Sequence, residues 1–309
     1  MESIRGISKN TTKEYFFDLR TFFRYLKIRY GLVDNATPIQ TIEIDDICID
    51  MIDKVNIQDL HGFISYVDKV LGNSNFAKSR KVASLKSFFD YLHNKISAIS
   101  KNPAEQLEFP KTDSRQPVYL TLEECRKLLD TILRNKNEVF RKRDYAIIIL
   151  FLNCGLRLSE LSSIDLDKIK DDTLIVVGKG NKERTIYLNR SCIDAINAYI
   201  EVRPEVPEEQ QALFLSIRRQ RMSNRAIQHM VDKYLKQAGF DTSIYSTHKL
   251  RHTAATLMYK YGEVDILALQ EILGHESVST TQIYTHIDDE RLRQAVNSNP
   301  LADIDHESK

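Results

Sequence analysis

The chain has 309 residues, more than a single domain usually holds, so two domains are the starting expectation. Its 42% hydrophobic and 28% charged composition excludes a disordered or fibrous chain. The formal net charge is only +1, but it is unevenly placed: Gln211–Lys260 holds nine Lys/Arg against two acids, whereas Tyr261–Glu290 holds seven acids and no Lys or Arg. A neutral total therefore does not exclude a nucleic-acid partner. The four cysteines, Cys48, Cys125, Cys154 and Cys192, show no paired metal-ligand spacing and suit a reducing compartment. The opening MESIRGISKN lacks the apolar core of a secretory signal, and the longest apolar run, Tyr145–Leu152, is too short to cross a bilayer. A cytoplasmic location with no membrane partner is expected.

The first third reads as helical. Asn10 and Thr11 offer a cap for a segment in which Tyr15, Phe16, Leu19, Phe22, Phe23 and Leu26 recur at helical spacing, with Gly31 as the stop. The Ile/Asp-rich stretch Thr41–Asn56 fits either short helix or loop. A second helix is expected over Ile57–Val70 and a third over Asn75–His93. In the third, Val82, Leu85, Phe88, Phe89 and Leu92 would face inward, leaving Lys78, Arg80, Lys81 and Lys86 to solvent or DNA. Pro103, Pro110 and Pro117 punctuate residues 96–117, which read as an interdomain linker between an N-terminal domain (1–95) and a second domain (118–309).

Thr121 and Glu124 form a capping-box pattern that opens the second domain. Helices are expected over Leu122–Leu133 and Lys142–Asn153, the latter closed by Gly155. TLIVVGKGNKERTIYL then reads as two short strands around a turn. Further helices are expected over Cys192–Glu201, Ser223–Gln237, Thr247–Tyr261 and Asp265–Leu273, with a last one near Asp289–Val296.

The chemistry-bearing residues lie in four separated blocks: CGLRLSEL, with Arg157 and Glu160; GKGNKER, with Lys179; THKLRHT, with His248 and Arg251; and ILGHESVSTTQIYTH, with His275 nine residues before Tyr284. Taken singly, each has an ordinary explanation as a cap, a surface ion pair or a packed tyrosine. Taken together, in this order, they resemble the tyrosine recombinase (phage integrase) family, and within it the bacterial Xer recombinases. The resemblance spans about Val118 to Ile287. It is weaker through the N-terminal helices and returns in KNPAEQLEFPK at the linker. Cys154 stands where the family often has Thr or Ser, and Thr41–Asn56 is longer than its counterpart in typical Xer proteins.

The resemblance implies a mainly α fold with a small β-hairpin sheet, in which a helical core-binding domain and a catalytic domain clamp duplex DNA. It implies Tyr284 as nucleophile. Arg157 and Arg251 would hold the scissile phosphate, His248 and His275 would donate further hydrogen bonds or manage the tyrosine proton, and Lys179 would serve as general acid. The residue types suit the task. A phenol with pKa of about 10 needs activation, and an anionic phosphate gaining charge suits forked guanidinium donors. Glu160 would support a cationic neighbour from behind. Lys182, Arg219, Arg221 and Arg225, beside Arg218, are candidate phosphate contacts along with Lys78, Arg80, Lys81 and Lys86.

A covalent 3′-phosphotyrosyl link conserves bond energy, so the resemblance implies no ATP, metal or other cofactor. The implied working unit is a homotetramer or heterotetramer on two synapsed sites, with a regulatory protein as a further candidate partner. Dimer resolution of chromosomes or plasmids is the expected role. A mobile-element integrase, a type IB topoisomerase and a non-catalytic DNA-binding regulator are the alternatives.

Overall fold

The structure, a computed structural model, describes residues 9–111, 118–178, 182–262, 264–274 and 280–281. The chain divides into two compact units, Met1–Asp113 and Ser114–Lys309. It is mainly helical, with one small antiparallel sheet. Among the described residues no helix is long and apolar enough to cross a membrane.

The regular elements described in the first unit are all helical: α1 (Lys9–Arg29), a 3-10 turn (Ile39–Thr41), α2 (Ile49–Asp53), α3 (Ile57–Lys69) and α4 (Asn75–Asp90), which runs on into a π turn (Tyr91–Lys95). α1 is already helical at its first described residue, so Asn10 and Thr11 lie inside it. Asn56 caps α3 through a reciprocal box with Asp59, and Ser74 caps α4, satisfying amide donors that the helices leave open. The core forms around Phe22, which meets Phe63 edge-on at 5.2 Å and Phe89 at 6.1 Å. Phe16, one of the apolar residues at helical spacing, is 56% exposed; Arg20 lies over its ring at 5.6 Å.

Two expectations for this unit are corrected. Ile99, Ala104 and Leu107 are buried in its core, so most of the segment read as linker packs onto the first unit. Pro103 and Pro110 punctuate this non-helical segment, yet Ala104 and Leu107 between them stay buried. The basic residues of α4 are not a free face either. Lys81 is buried and bonds Asp18 of α1 at 2.6 Å, and Arg80 bonds the same carboxylate at 3.0 Å and pairs with Glu14. Lys78 pairs with Asp68 at 2.5 Å, and Lys86 donates to the Glu105 carbonyl at 2.9 Å. A buried carboxylate needs a cation beside it, and this outweighs the tendency of lysine to seek water. Burial pushes the Asp18 carboxyl above its ordinary range, with Lys81 opposing.

The second unit is organised around α6 (Glu138–Cys154), whose residues from Ala146 to Leu152 are all buried. α5 (Leu122–Leu133), α8 (Arg190–Ile200) and α10 (Thr247–Tyr261) pack around it. The Thr121–Glu124 capping box opens α5, and Asn137 caps α6 a turn earlier than the apolar pattern starts. Cys154 and Cys192 face each other across α6 and α8 as free thiols, 3.7 Å apart. The sheet follows the short helix α7 (Leu158–Ser162). It has order β1 (Ile169–Lys170), β2 (Thr173–Val177), β3 (Glu183–Tyr187), so a short third strand joins the expected pair. Leu174 opposes Ile186 and Val176 opposes Arg184. Since strand side chains alternate, the face that buries Leu174, Val176 and Ile186 also receives Arg184. α9 (Asn224–Gln237), capped by Ser223, and α11 (Ile266–Leu273), capped by Asp265, complete the described elements.

Candidate active site

The site grows out of two helix ends. α6 and α11 both stop at a glycine in the left-handed conformation, Gly155 at φ 57° and Gly274 at φ 63°. A helix C-terminus presents unpaired carbonyl oxygens and a partial negative charge, a natural seat for cations. The two ends lie close together. A Cβ on Gly155 would come within 2.8 Å of Leu273 Cδ2, so the approach requires glycine.

Arginines occupy these carbonyls. Arg251, on α10, donates from Nη1 to the Gly155 carbonyl at 2.5 Å and from Nη2 to the Leu273 carbonyl at 2.6 Å. Arg157, at the N-cap of α7, donates from Nη2 to the Gly274 carbonyl at 2.7 Å. Its main-chain N–H donates to Glu160 Oε2 at 2.8 Å, and its Nη1 to Glu160 Oε1 at 2.9 Å. Helical spacing over three residues makes this return possible, as in a capping box whose N-cap is itself the cation.

Glu160 is the hub. Its side chain is fully buried and lies 4.0 Å from Arg251 Nη1 as well as bonding Arg157. A third guanidinium, Arg184 on β3, donates from Nη2 to Glu160 Oε2 at 2.9 Å and from Nη1 to the Ile272 carbonyl. Burial alone would raise the Glu160 carboxyl. The Arg184 guanidinium and the Arg157 donors outweigh it and hold the group below the usual carboxylate range. Three guanidiniums around one carboxylate leave a net positive charge of two in a partly dry setting, which is a site for an anion.

His248 sits in the first turn of α10, three residues before Arg251 and on the same face. Its side chain is partly exposed and partly covered, and its ring meets that of His252 edge-on at 4.5 Å. Partial burial of the ring, then the charges of Arg251, Lys249 and Arg157, hold its pKa below the ordinary 6.5. The imidazole is therefore neutral at neutral pH and able to accept a proton.

The structure thus brings Arg157, Glu160, His248 and Arg251 together from α7 and α10, although they are up to 94 residues apart in the chain. Lys179, His275 and Tyr284 lie outside the described residues. The flanks of the turn that carries Lys179 are described: the Gly178 N–H donates to the Lys182 carbonyl at 2.8 Å, and the Lys182 side chain is exposed.

Residues 118–291 match the family model described as the phage integrase family. The chain belongs to the phage integrase family. Its relatives include the tyrosine recombinase XerC of Caldanaerobacter subterraneus subsp. tengcongensis, 54% identical over 301 residues that cover 97% of this chain and 84% of the relative. A tyrosine recombinase XerC of Leptospira interrogans is 30% identical over 292 residues, covering 94% of this chain and 87% of that one. Among solved structures, the XerH site-specific recombinase bound to difH substrate in a pre-cleavage complex has the same fold. Its TM-score is 0.70 at 23% identity, with 93% of this chain and 79% of that chain covered. The chain is a site-specific tyrosine recombinase of the Xer kind.

Within this recombinase the candidate DNA-contacting arginines separate into two kinds. Arg225, near the start of α9, is exposed. Arg221 is engaged by its own unit: Nη1 donates to the Ser162 and Ile164 carbonyls at 3.1 and 3.2 Å, and Nη2 pairs with Asp165. That binding holds the loop before α9 against the segment after α7. Arg219, exposed and at φ 56°, donates weakly to the Glu205 carbonyl at 3.4 Å.

Arg184 is the residue that sequence reasoning passed over. Its signal was present in strand alternation: two positions before the buried Ile186, an arginine must point into the same face.

Proposed function

We propose that the recombinase cleaves DNA by attack of Tyr284 Oη on the scissile phosphorus, forming a 3′-phosphotyrosyl bond and releasing a 5′-hydroxyl. The observation that carries this reading is the convergence of Arg157 and Arg251 on Glu160 and on the carbonyl ends of α6 and α11. Guanidiniums fixed in this way before substrate arrives need no reorganisation as charge develops on the phosphoryl oxygens. Arg157, with a third of its side chain exposed, offers its outer edge to one non-bridging oxygen, and Arg251 adds its charge from beneath. His248, neutral at working pH, accepts the tyrosine proton or bonds the phosphate, and His275 is assigned the same role. Lys179 protonates the leaving 5′-oxygen. Rejoining reverses the sequence: a 5′-hydroxyl from the partner strand attacks the phosphotyrosine and the phenol leaves. The phosphotyrosyl bond keeps the energy of the diester, so neither ATP nor a metal ion enters the proposed scheme.

The finer reading is resolution of chromosome or plasmid dimers in the cytoplasm by a tetramer, homomeric or with a second recombinase, on two synapsed sites. It is supported by the near full-length similarity to proteins named XerC. The acidic stretch Asp288–Glu290 and the tail beyond Arg293 are proposed to pack on a neighbouring subunit. Truncation from Leu292 should then impair synapsis.

The chemistry is tested on a nicked suicide duplex. Wild-type protein should form an adduct that survives denaturing electrophoresis, and Tyr284→Phe should bind the duplex without forming it. An adduct of undiminished yield with Tyr284→Phe would overturn the assignment.

A further inference from the structure

Arg184 touches three elements at once. It projects from β3, in register with Val176 and two residues beyond the turn flank Lys182. Its Nη2 reaches Glu160 on α7 and its Nη1 the Ile272 carbonyl on α11. The stem lies against Gly274, where an added Cβ would stand 2.9 Å from Arg184 Cδ and 3.0 Å from Nε. The side chain is only 16% exposed, too enclosed to serve as a surface contact to the DNA backbone.

A buried carboxylate beside an anionic substrate is a liability. Uncompensated, Glu160 would repel the scissile phosphate and draw the charge of Arg157 and Arg251 toward itself. Arg184 supplies a countercharge from the sheet, at Oε2, the oxygen that the Arg157 N–H also bonds and that Arg251 Nη1 approaches to 4.0 Å. Glu160 can then orient Arg157 while most of the cationic field remains for the phosphate. The same guanidinium fixes the base of the hairpin that bears Lys179 and the end of the helix that precedes His275.

We propose that Arg184 is a positioning residue of the cleavage reaction: it neutralises Glu160 and ties the Lys179 hairpin to the C-terminal end of α11. This rests on the assignment of Arg157 and Arg251 to the scissile phosphate. It concerns how those groups are held and not which groups react.

Single-turnover cleavage of the nicked duplex at saturating protein provides the test, with duplex affinity and thermal midpoint measured on the same samples. Arg184→Met should cleave roughly ten- to a hundredfold more slowly, by analogy with the loss seen when outer partners of metal ligands are removed, while still binding the duplex. Arg184→Lys, which keeps the charge but not the fork, should recover part of the rate. Removing the stranded carboxylate as well, in Arg184→Met with Glu160→Gln, should give faster cleavage than Arg184→Met alone. Independent, multiplicative slowing by the two changes would overturn the proposal, as would cleavage by folded Arg184→Met at the wild-type rate. If Arg184→Met does not fold, Arg184→Lys and its combination with Glu160→Gln decide: a lysine variant without residual cleavage, or a combination slowed by the product of the two single effects, would overturn it. Failure of wild-type protein to form any adduct would instead defeat the Tyr284 reading.

Discussion

Replacing Gly155 by alanine puts the closeness of the two helix ends to a quantitative test. At φ 57° an L-residue costs about 1–2 kcal/mol. The new methyl would also sit 2.8 Å from Leu273 Cδ2, in a packed setting where overfilling costs about 1–3 kcal/mol. Loss of glycine freedom in the unfolded chain returns about 0.4–1 kcal/mol. The net expectation is a destabilisation of about 2–4 kcal/mol. Gly239 provides the control within the same unit. Its φ is 81°, but an added Cβ would meet only Lys127 Nζ at 3.7 Å, so Gly239→Ala should cost about 1 kcal/mol. Opening of this unit can be followed separately from the first by thiol labelling in urea, since Cys125, Cys154 and Cys192 are buried here while Cys48 is exposed. Because the Gly155 carbonyl also holds Arg251, Gly155→Ala should slow cleavage even where the protein remains folded. Equal costs for the two alanine variants, with cleavage unaffected, would refute the view that α6 and α11 are held in contact at this point.

His248 should titrate below 6.5 in an NMR series of imidazole shifts. The unfolded chain then binds the proton more tightly, so stability is complete above pH 6.5 and declines as pH falls toward the folded midpoint; a midpoint at or above 6.5 would contradict this. Lys81→Met should destabilise the first unit by about 1–3 kcal/mol in urea unfolding, because it removes one of two cations bonded to the buried Asp18 carboxylate and leaves Arg80 in place. A variant of wild-type stability that binds DNA weakly would restore the phosphate-contact reading of Lys81. Arg225→Ala should lower the slope of log affinity against log salt by about one, measured by fluorescence anisotropy on a site duplex. Arg221→Ala should leave that slope unchanged, and a lowered slope would show that Arg221 leaves Asp165 for DNA.

Local rules carried the sequence reading a long way. Thr121, Glu124 and the apolar spacing that follows define α5 over Leu122–Leu133, and Thr247–Tyr261 emerges with the expected bounds for α10. Both depend on interactions within a few residues of chain. The misreadings involve partners that are distant in sequence. Lys81 looks like a solvent-facing lysine until Asp18, 63 positions upstream, is placed beside it. Ile99, Ala104 and Leu107 sit among prolines and polar residues, and only the presence of a neighbouring core shows why they are buried. Glu160 was legible as support for a cation, but the identity of its third cation required the hairpin register.

The site also shows how like charges can be held together before their ligand arrives. Two cations about 4 Å apart repel by roughly 4 kcal/mol at the effective dielectric near a protein surface, so clustered guanidiniums need fixed negative partners. One carboxylate cannot serve three of them and still leave anion affinity unless part of the compensation is dipolar. Here that part comes from carbonyl oxygens at Gly155, Leu273 and Gly274, at the ends of helices whose dipoles point their negative poles at the arginines. Carbonyls orient a guanidinium without cancelling its net charge, whereas a second glutamate would cancel it. The two left-handed glycines are therefore part of the phosphate site even though neither carries a functional side chain. Cleavage should be more sensitive to backbone changes at Gly155 and Gly274 than to removal of exposed basic side chains such as Arg225.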